Sequence, residues 1–105
     1  MDTLLVLTHL PDRVAANALA TALIERRVAA CVNVLSECTS VYRWQGKVET
    51  ATEIPMLVKT SAAAYPELER VIRELHPYEL PDIVAVPIGC GLPEYLDWVA
   101  AETRT

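Results

Sequence analysis

Short apolar runs, two helical stripes and one long β-rich stretch divide the chain. Thr3 to Thr8 (TLLVLT) is a continuous apolar run closed by His9-Leu10-Pro11-Asp12, which predicts a short central strand covered on both faces. Asp12 then offers a cap for a helix from Arg13 to about Arg27. Val14, Ala18, Leu19, Ala22 and Leu23 form its apolar stripe, with Arg13, Asn17, Thr21 and Arg26 elsewhere. From Ala29 to Trp44 the chain is rich in β-branched, Cys, Ser and Thr residues, Gln45-Gly46-Lys47 interrupts, and a second such stretch runs from Val48 to Thr60. That pattern is a hairpin. Ser36-Glu37 breaks the alternation of its first arm, and Pro55 cannot donate a ladder hydrogen bond in the second, so both predict bulges or a change of pairing partner.

After Ser61, the spacing of Tyr65, Leu68, Ile72 and Leu75 predicts a helix that His76-Pro77 stops, with Pro66 in its first turns or just after a short opening turn. Ile83 to Pro87 (IVAVP) reads as the last strand. Pro93 begins a closing helix carrying Tyr95, Leu96, Trp98 and Val99. The order β-α-β-β-α-β plus a tail helix predicts an α+β, ferredoxin-like sandwich with two helices on one sheet face, a long β-hairpin and an extra C-terminal helix. Residues 1–105 make one domain in this reading, since the length suits a single core.

The hairpin is too long for that body. An unbroken arm from Ala29 to Trp44 would reach roughly 50 Å at about 3.3 Å per residue, whereas a globule of this length is only about 34 Å across. The overhang carries Val41, Tyr42, Trp44 and Val48, and an unsupported ribbon of that kind invites pairing with another chain. A cyclic oligomer closes such edges. The apolar fraction of 52% and mean hydropathy of +0.24 point the same way, because a small monomer cannot bury so much.

A net charge of −5, with the nine basic residues scattered, argues against nucleic acid and anionic membrane as partners. The longest apolar runs fall far short of a bilayer span, and no signal-like segment opens the chain. Three cysteines, Cys31, Cys38 and Cys90, without paired spacing speak for a reducing compartment, by default the cytoplasm.

A metal site needs three or four converging ligands, and no CxxC, HxH or HExxH occurs, though symmetry copies could each supply single residues. Cys31 reads first as a small core residue and second as a thiolate, Cys90 as part of a glycine turn, and Cys38 as facing solvent or a neighbour. His76-Pro77-Tyr78-Glu79-Leu80-Pro81 gathers a base, a phenol and a carboxylate in a stiff loop, suited either to proton transfer and ligand capture or to ending a helix at an interface. Lys59 and Glu53 are solvated or paired across an interface, and Trp44 and Tyr42 read as interface anchors. Neither a nucleophile elbow nor a phosphate-binding glycine loop appears.

Taken together, Ala29-Ala30-Cys31-Val32-Asn33, Ser40-Val41-Tyr42-Arg43-Trp44-Gln45-Gly46, Glu53, Lys59-Thr60, His76-Pro77-Tyr78-Glu79 with Pro81, and Tyr95-Leu96 with Trp98 closely resemble the CutA family. The resemblance spans Thr8 to Trp98. It implies a ferredoxin-like protomer, a homotrimer joined through sheet edges, an association with tolerance of divalent cations, copper(II) especially, and likeness to the PII signalling proteins. It also implies an intersubunit cleft of Cys31, Trp44, Glu53, Lys59, His76, Tyr78 and Glu79, with His76 and Cys31 as candidate metal ligands. Pro55 departs from the ordinary strand residue of the family, and Val48 replaces a usual isoleucine. The expectation is a cytoplasmic, copper-binding trimer rather than an enzyme. Its rivals are a sensor that captures a small anion through Lys59 in the intersubunit cleft, and a scaffold for a partner protein.

Overall fold

The computed structural model describes residues 2–104. In chain order it contains β1 (Thr3–Leu10), α1 (Arg13–Glu25), β2 (Cys31–Val34), β3 (Cys38–Trp44), β4 (Lys47–Ser61), α2 (Tyr65–Leu75), β5 (Val84–Pro87) and α3 (Pro93–Glu102). The strands form one antiparallel sheet in the order β2-β4-β1-β5, and β3 continues along β4 beyond the end of β2. This is the ferredoxin-like α+β arrangement, its second strand split into β2 and β3. Even-numbered residues of the two central strands, Val6 and Leu10 on β1 with Ile54, Met56 and Val58 on β4, meet Leu19 and Leu23 of α1 and Leu68, Val71 and Ile72 of α2 in the core.

β1 runs two residues beyond the apolar run that announces it. Leu10 is wholly buried opposite Ile54, and the His9 N–H donates to Asp82 Oδ1 at 3.2 Å, so polar closure comes at Pro11 instead of His9. Asp12 caps α1 as expected, its Oδ1 accepting from the Ala15 N–H at 2.8 Å. The stripe is rotated from the expected one: Ala16, Leu19 and Leu23 are buried, while Ala18 faces water and Val14 is 81% exposed. Alanines lie on every side of this helix, so its rotation is set by the two leucines that fill the core. The helix ends at Glu25. Arg27 follows with φ 59°, and its guanidinium donates to the carbonyls of Ala101 (3.1 Å) and Arg104 (3.0 Å) at the C-terminal end of α3. Leu75 of α2 is also displaced from its expected place, being 40% exposed beside the helix end.

The break between β2 and β3 is a bulge. The Leu35 N–H donates to the Pro55 carbonyl at 3.0 Å, and Cys38 pairs with Glu53, so Ser36 and Glu37 together stand against Ile54 alone. Pro55 sits where β4 changes partner, the place where a missing N–H is least costly. Beyond the bulge the hairpin turns at Gln45 (φ 51°) and Gly46 (φ 81°), with Trp44 opposite Lys47. The molecule is accordingly long, 44 × 26 × 23 Å.

The sheet face away from α1 and α2 is only partly covered. α3 seals one end of it through wholly buried Val99 and through Thr103, whose Oγ1 lies 2.9 Å from Ser61 Oγ. Past that seal, cross-strand pairing lines up Val86, Leu5, Lys59 and Cys31 in one row and Val84, Leu7, Leu57 and Asn33 in the next. Leu5, Leu7 and Leu57 are partly exposed, and Val84 and Val86 are exposed by 59% and 48%. Coverage of β1 on both faces, expected from its apolar run, is met on one face only within the chain.

Candidate functional site

A cleft of about 640 Å³ opens between the overhanging hairpin and the loop that follows α2. β3 contributes Ser40, Val41, Tyr42 and Trp44, β4 contributes Glu53, the end of β1 contributes His9, and the loop supplies Pro77 to Leu80 and Asp82. The two prolines, Pro77 and Pro81, stiffen this loop, and the side chain of His76 ties its start to β1. The Tyr78 N–H donates to His76 Nδ1 at 3.1 Å, which leaves Nε2 to carry the proton and donate to the His9 carbonyl at 2.6 Å. Both ring nitrogens are thus held by main chain, in a residue only 7% exposed. The rings of His76 and Tyr78 meet at a tilt of 50° with their centroids 4.8 Å apart.

Tyr78 in turn reaches Glu53. Its hydroxyl donates to Glu53 Oε2 at 2.7 Å, and burial, reinforced by that hydrogen bond and the carboxylate's charge, pushes the phenol's pKa well above its ordinary value. Glu53 is itself buried. At the cleft's other side, His9 Nδ1 lies 2.6 Å from Asp82 Oδ2, while Asp82 Oδ1 holds the His9 amide, so the carboxylate grips one residue twice.

Of the residues expected at the site, Trp44, Glu53, Tyr78 and Glu79 line this cleft and His76 braces it from below. Cys31 and Lys59 lie elsewhere in the same chain. They are a cross-strand pair on the uncovered sheet face, where Lys59 Nζ donates to Asn33 Oδ1 at 3.1 Å and stands 5.8 Å from the centre of the Tyr95 ring. Cys31 is half-buried, its Sγ 3.8 Å from the same Asn33 oxygen, and so is not a core residue. Lys59 stands six positions along β4 from Glu53, about 20 Å of strand. Among the described residues no group of three His, Cys, Asp or Glu side chains is placed to hold a metal ion.

His9 with Asp82 is the pair that sequence reasoning missed. They are 73 residues apart, yet the element order carries the signal, because placing the last strand beside the first sets the end of β1 against the start of β5.

Fold and site together define a ferredoxin-like α+β protein with an acidic, aromatic cleft under an overhanging hairpin. Residues 4–102 match the family of the CutA1 divalent ion tolerance protein, and the chain belongs to that family. It is 48% identical over 98 residues to the divalent-cation tolerance protein CutA of Thermus thermophilus, covering 93% of this chain and 95% of that one. The solved structure of the Thermus thermophilus protein superposes with a TM-score of 0.95 at 46% identity, covering 97% of this chain and 99% of that one. A structure from Archaeoglobus fulgidus, described as a periplasmic divalent cation tolerance protein CutA, has a TM-score of 0.93 at 35% identity over 97% of this chain and 99% of that chain. Protein CutA of Mus musculus is 40% identical over 95 residues, 90% of this chain but 54% of the mouse protein, so the chain spans about half of that relative.

Proposed function

We propose that the chain works as a cytoplasmic homotrimer that binds copper(II) or another divalent cation and contributes to metal tolerance. The observation that carries this reading is the uncovered sheet face, where Leu5, Leu7, Leu57, Val84 and Val86 form an apolar sheet surface continuous with the core strands. Contiguous apolar surface of this kind marks an interaction site. The overhanging hairpin favours a ring, since a tip that reaches one neighbour while its base receives another makes a head-to-tail contact that must close to avoid a filament. Three copies is the number that family membership suggests.

The family name, which speaks of divalent ion tolerance, and the location of the donors support metal binding. Single residues from several copies would complete a site that one chain does not assemble. In this reading the half-buried Cys31, on the face that meets neighbours, is the better placed donor. His76 could ligate only by giving up a main-chain hydrogen bond, so its part is to fix the cleft loop. Three free cysteines support a reducing compartment, against the periplasmic description of the Archaeoglobus fulgidus relative.

Sedimentation of the purified, tag-free protein is expected to give a three-chain mass at micromolar dilution, and equilibrium dialysis against Cu(II) a saturable uptake that Cys31→Ser lowers. Folded single chains would reject the trimer. Uptake unchanged in the Cys31→Ser variant would reject the ligand assignment.

A further inference from the structure

Glu53 is a buried carboxylate without a cation. The residue is 7% exposed, its one hydrogen bond comes from the neutral Tyr78 hydroxyl, and no Lys or Arg among the described residues forms an ion pair with it. Charges removed from water are ordinarily paired, because desolvation costs several kcal/mol per ion, in order of magnitude, unless an opposite charge offsets it. Tyr78 satisfies Oε2 only; Oε1 has no protein partner among the described residues and is open to the cleft that Glu53 lines, not sealed from solvent.

The cleft around Glu53 has one sign. Glu79 and Asp82 add two more carboxylates, and no Lys or Arg among the described residues lines the space. Its remaining walls are largely aromatic, with Tyr42, Trp44 and Tyr78 contributing rings whose faces attract cations. A volume of about 640 Å³ falls in the range of small-molecule sites. A bare divalent metal is a poor match for these walls, since it requires three or more converging donors and none converge among the described residues. An anion would meet three carboxylates.

We propose that this cleft binds a small organic cation, a protonated aliphatic amine, with the Glu53 carboxylate as its counter-ion and the rings of Trp44 and Tyr42 as its walls. The ammonium supplies the missing partner of Oε1, and its alkyl groups cover the indole and phenol faces. Asp82 is already engaged by His9, so Glu53 and Glu79 are the charges left for the ligand. The site is built from one chain's residues and does not depend on the copper reading.

Isothermal titration calorimetry on the native assembly tests it, using n-butylammonium and tetramethylammonium chlorides as probes, with sodium butyrate and 1-butanol matching the first in size. Both ammonium ions are expected to bind saturably, more weakly as salt is raised, while butyrate and butanol give no saturable heat. Glu53→Gln keeps the shape and an acceptor for Tyr78, and should weaken the amine at least about tenfold, the usual scale for one charge-assisted contact. Trp44→Leu should weaken it severalfold, and Val14→Ala, on the exposed side of α1, should leave it unchanged. Should Glu53→Gln fail to fold, the exposed Glu79→Gln serves in its place, with a loss of about two- to threefold from charge alone. Butyrate or butanol binding as tightly as the amine, or amine affinity untouched in the folded charge variants, would overturn the proposal. So would absence of amine binding in protein that still takes up Cu(II), an outcome that leaves the metal reading intact.

Discussion

At the scale of single residues, the Tyr78–Glu53 contact links the site to stability. The folded chain holds the phenolic proton above the ordinary value of about 10, whereas the unfolded chain releases it there. Tyr78 therefore adds stability that is complete below about pH 10 and is lost as pH climbs through the raised folded value. Tyr65, half-buried and donating to Glu69 at 2.9 Å, is raised in the same direction and contributes likewise. Tyr78→Phe should cost about 1 kcal/mol at neutral pH, the net worth of one hydrogen bond. Above pH 10 its stability should fall less steeply than wild type, by up to about 1.4 kcal/mol per pH unit. Guanidinium denaturation over an alkaline pH series measures both slopes, and parallel curves would show that Tyr78 is not the titrating group. Tyr65→Phe, far from the cleft, gives the comparison in which the slope changes and amine affinity does not.

At the scale of elements, the hairpin is both the most legible part of the sequence and the most demanding. Its two arms, its bulge at Ser36-Glu37 and its change of partner at Pro55 follow from local chemistry, because a broken alternation and a missing N–H each have few places to go. The turn follows equally from Gly46, whose φ of 81° an L side chain rarely adopts. Gly46→Val meets open space, so its cost is backbone strain alone, about 1–2 kcal/mol. A denaturation midpoint lowered to that extent is expected, and an unchanged one would mean that the turn adopts another geometry in solution. Less legible are the features that depend on how elements meet. The rotation of α1 escapes the pattern because its alanines give no contrast between sides, leaving Val14 exposed. His9 and Asp82 form a contact between chain ends that no local pattern encodes. Within one chain the residues expected at the site fall in two places: Glu53 and Lys59 share a strand but stand six positions apart along it, which the registered sheet shows and the local pattern does not.

For the whole molecule, the question is what covers the second face of β1. The TLLVLT run carries leucines on both faces, and the chain's own helices use only the even-numbered side for the core. Burying one such leucine fully is worth about 1.5–3 kcal/mol. Leu5, Leu7 and Leu57 with Val84 and Val86 thus hold back a stabilisation large on the scale of a small domain's total. In the proposed ring that stabilisation would be recovered where copies meet, linking folding to assembly and making apparent stability depend on protein concentration. Leu7 is the sharpest probe because it sits mid-row between Val84 and Leu57, outside the core beneath the helices. Leu7→Glu should release folded single chains in sedimentation velocity and lower the denaturation midpoint. Val14→Glu, on the exposed side of α1, should change neither. A Leu7→Glu protein that still sediments as the wild type does would mean that this face is not where copies meet, and the overhanging hairpin alone would have to hold them together.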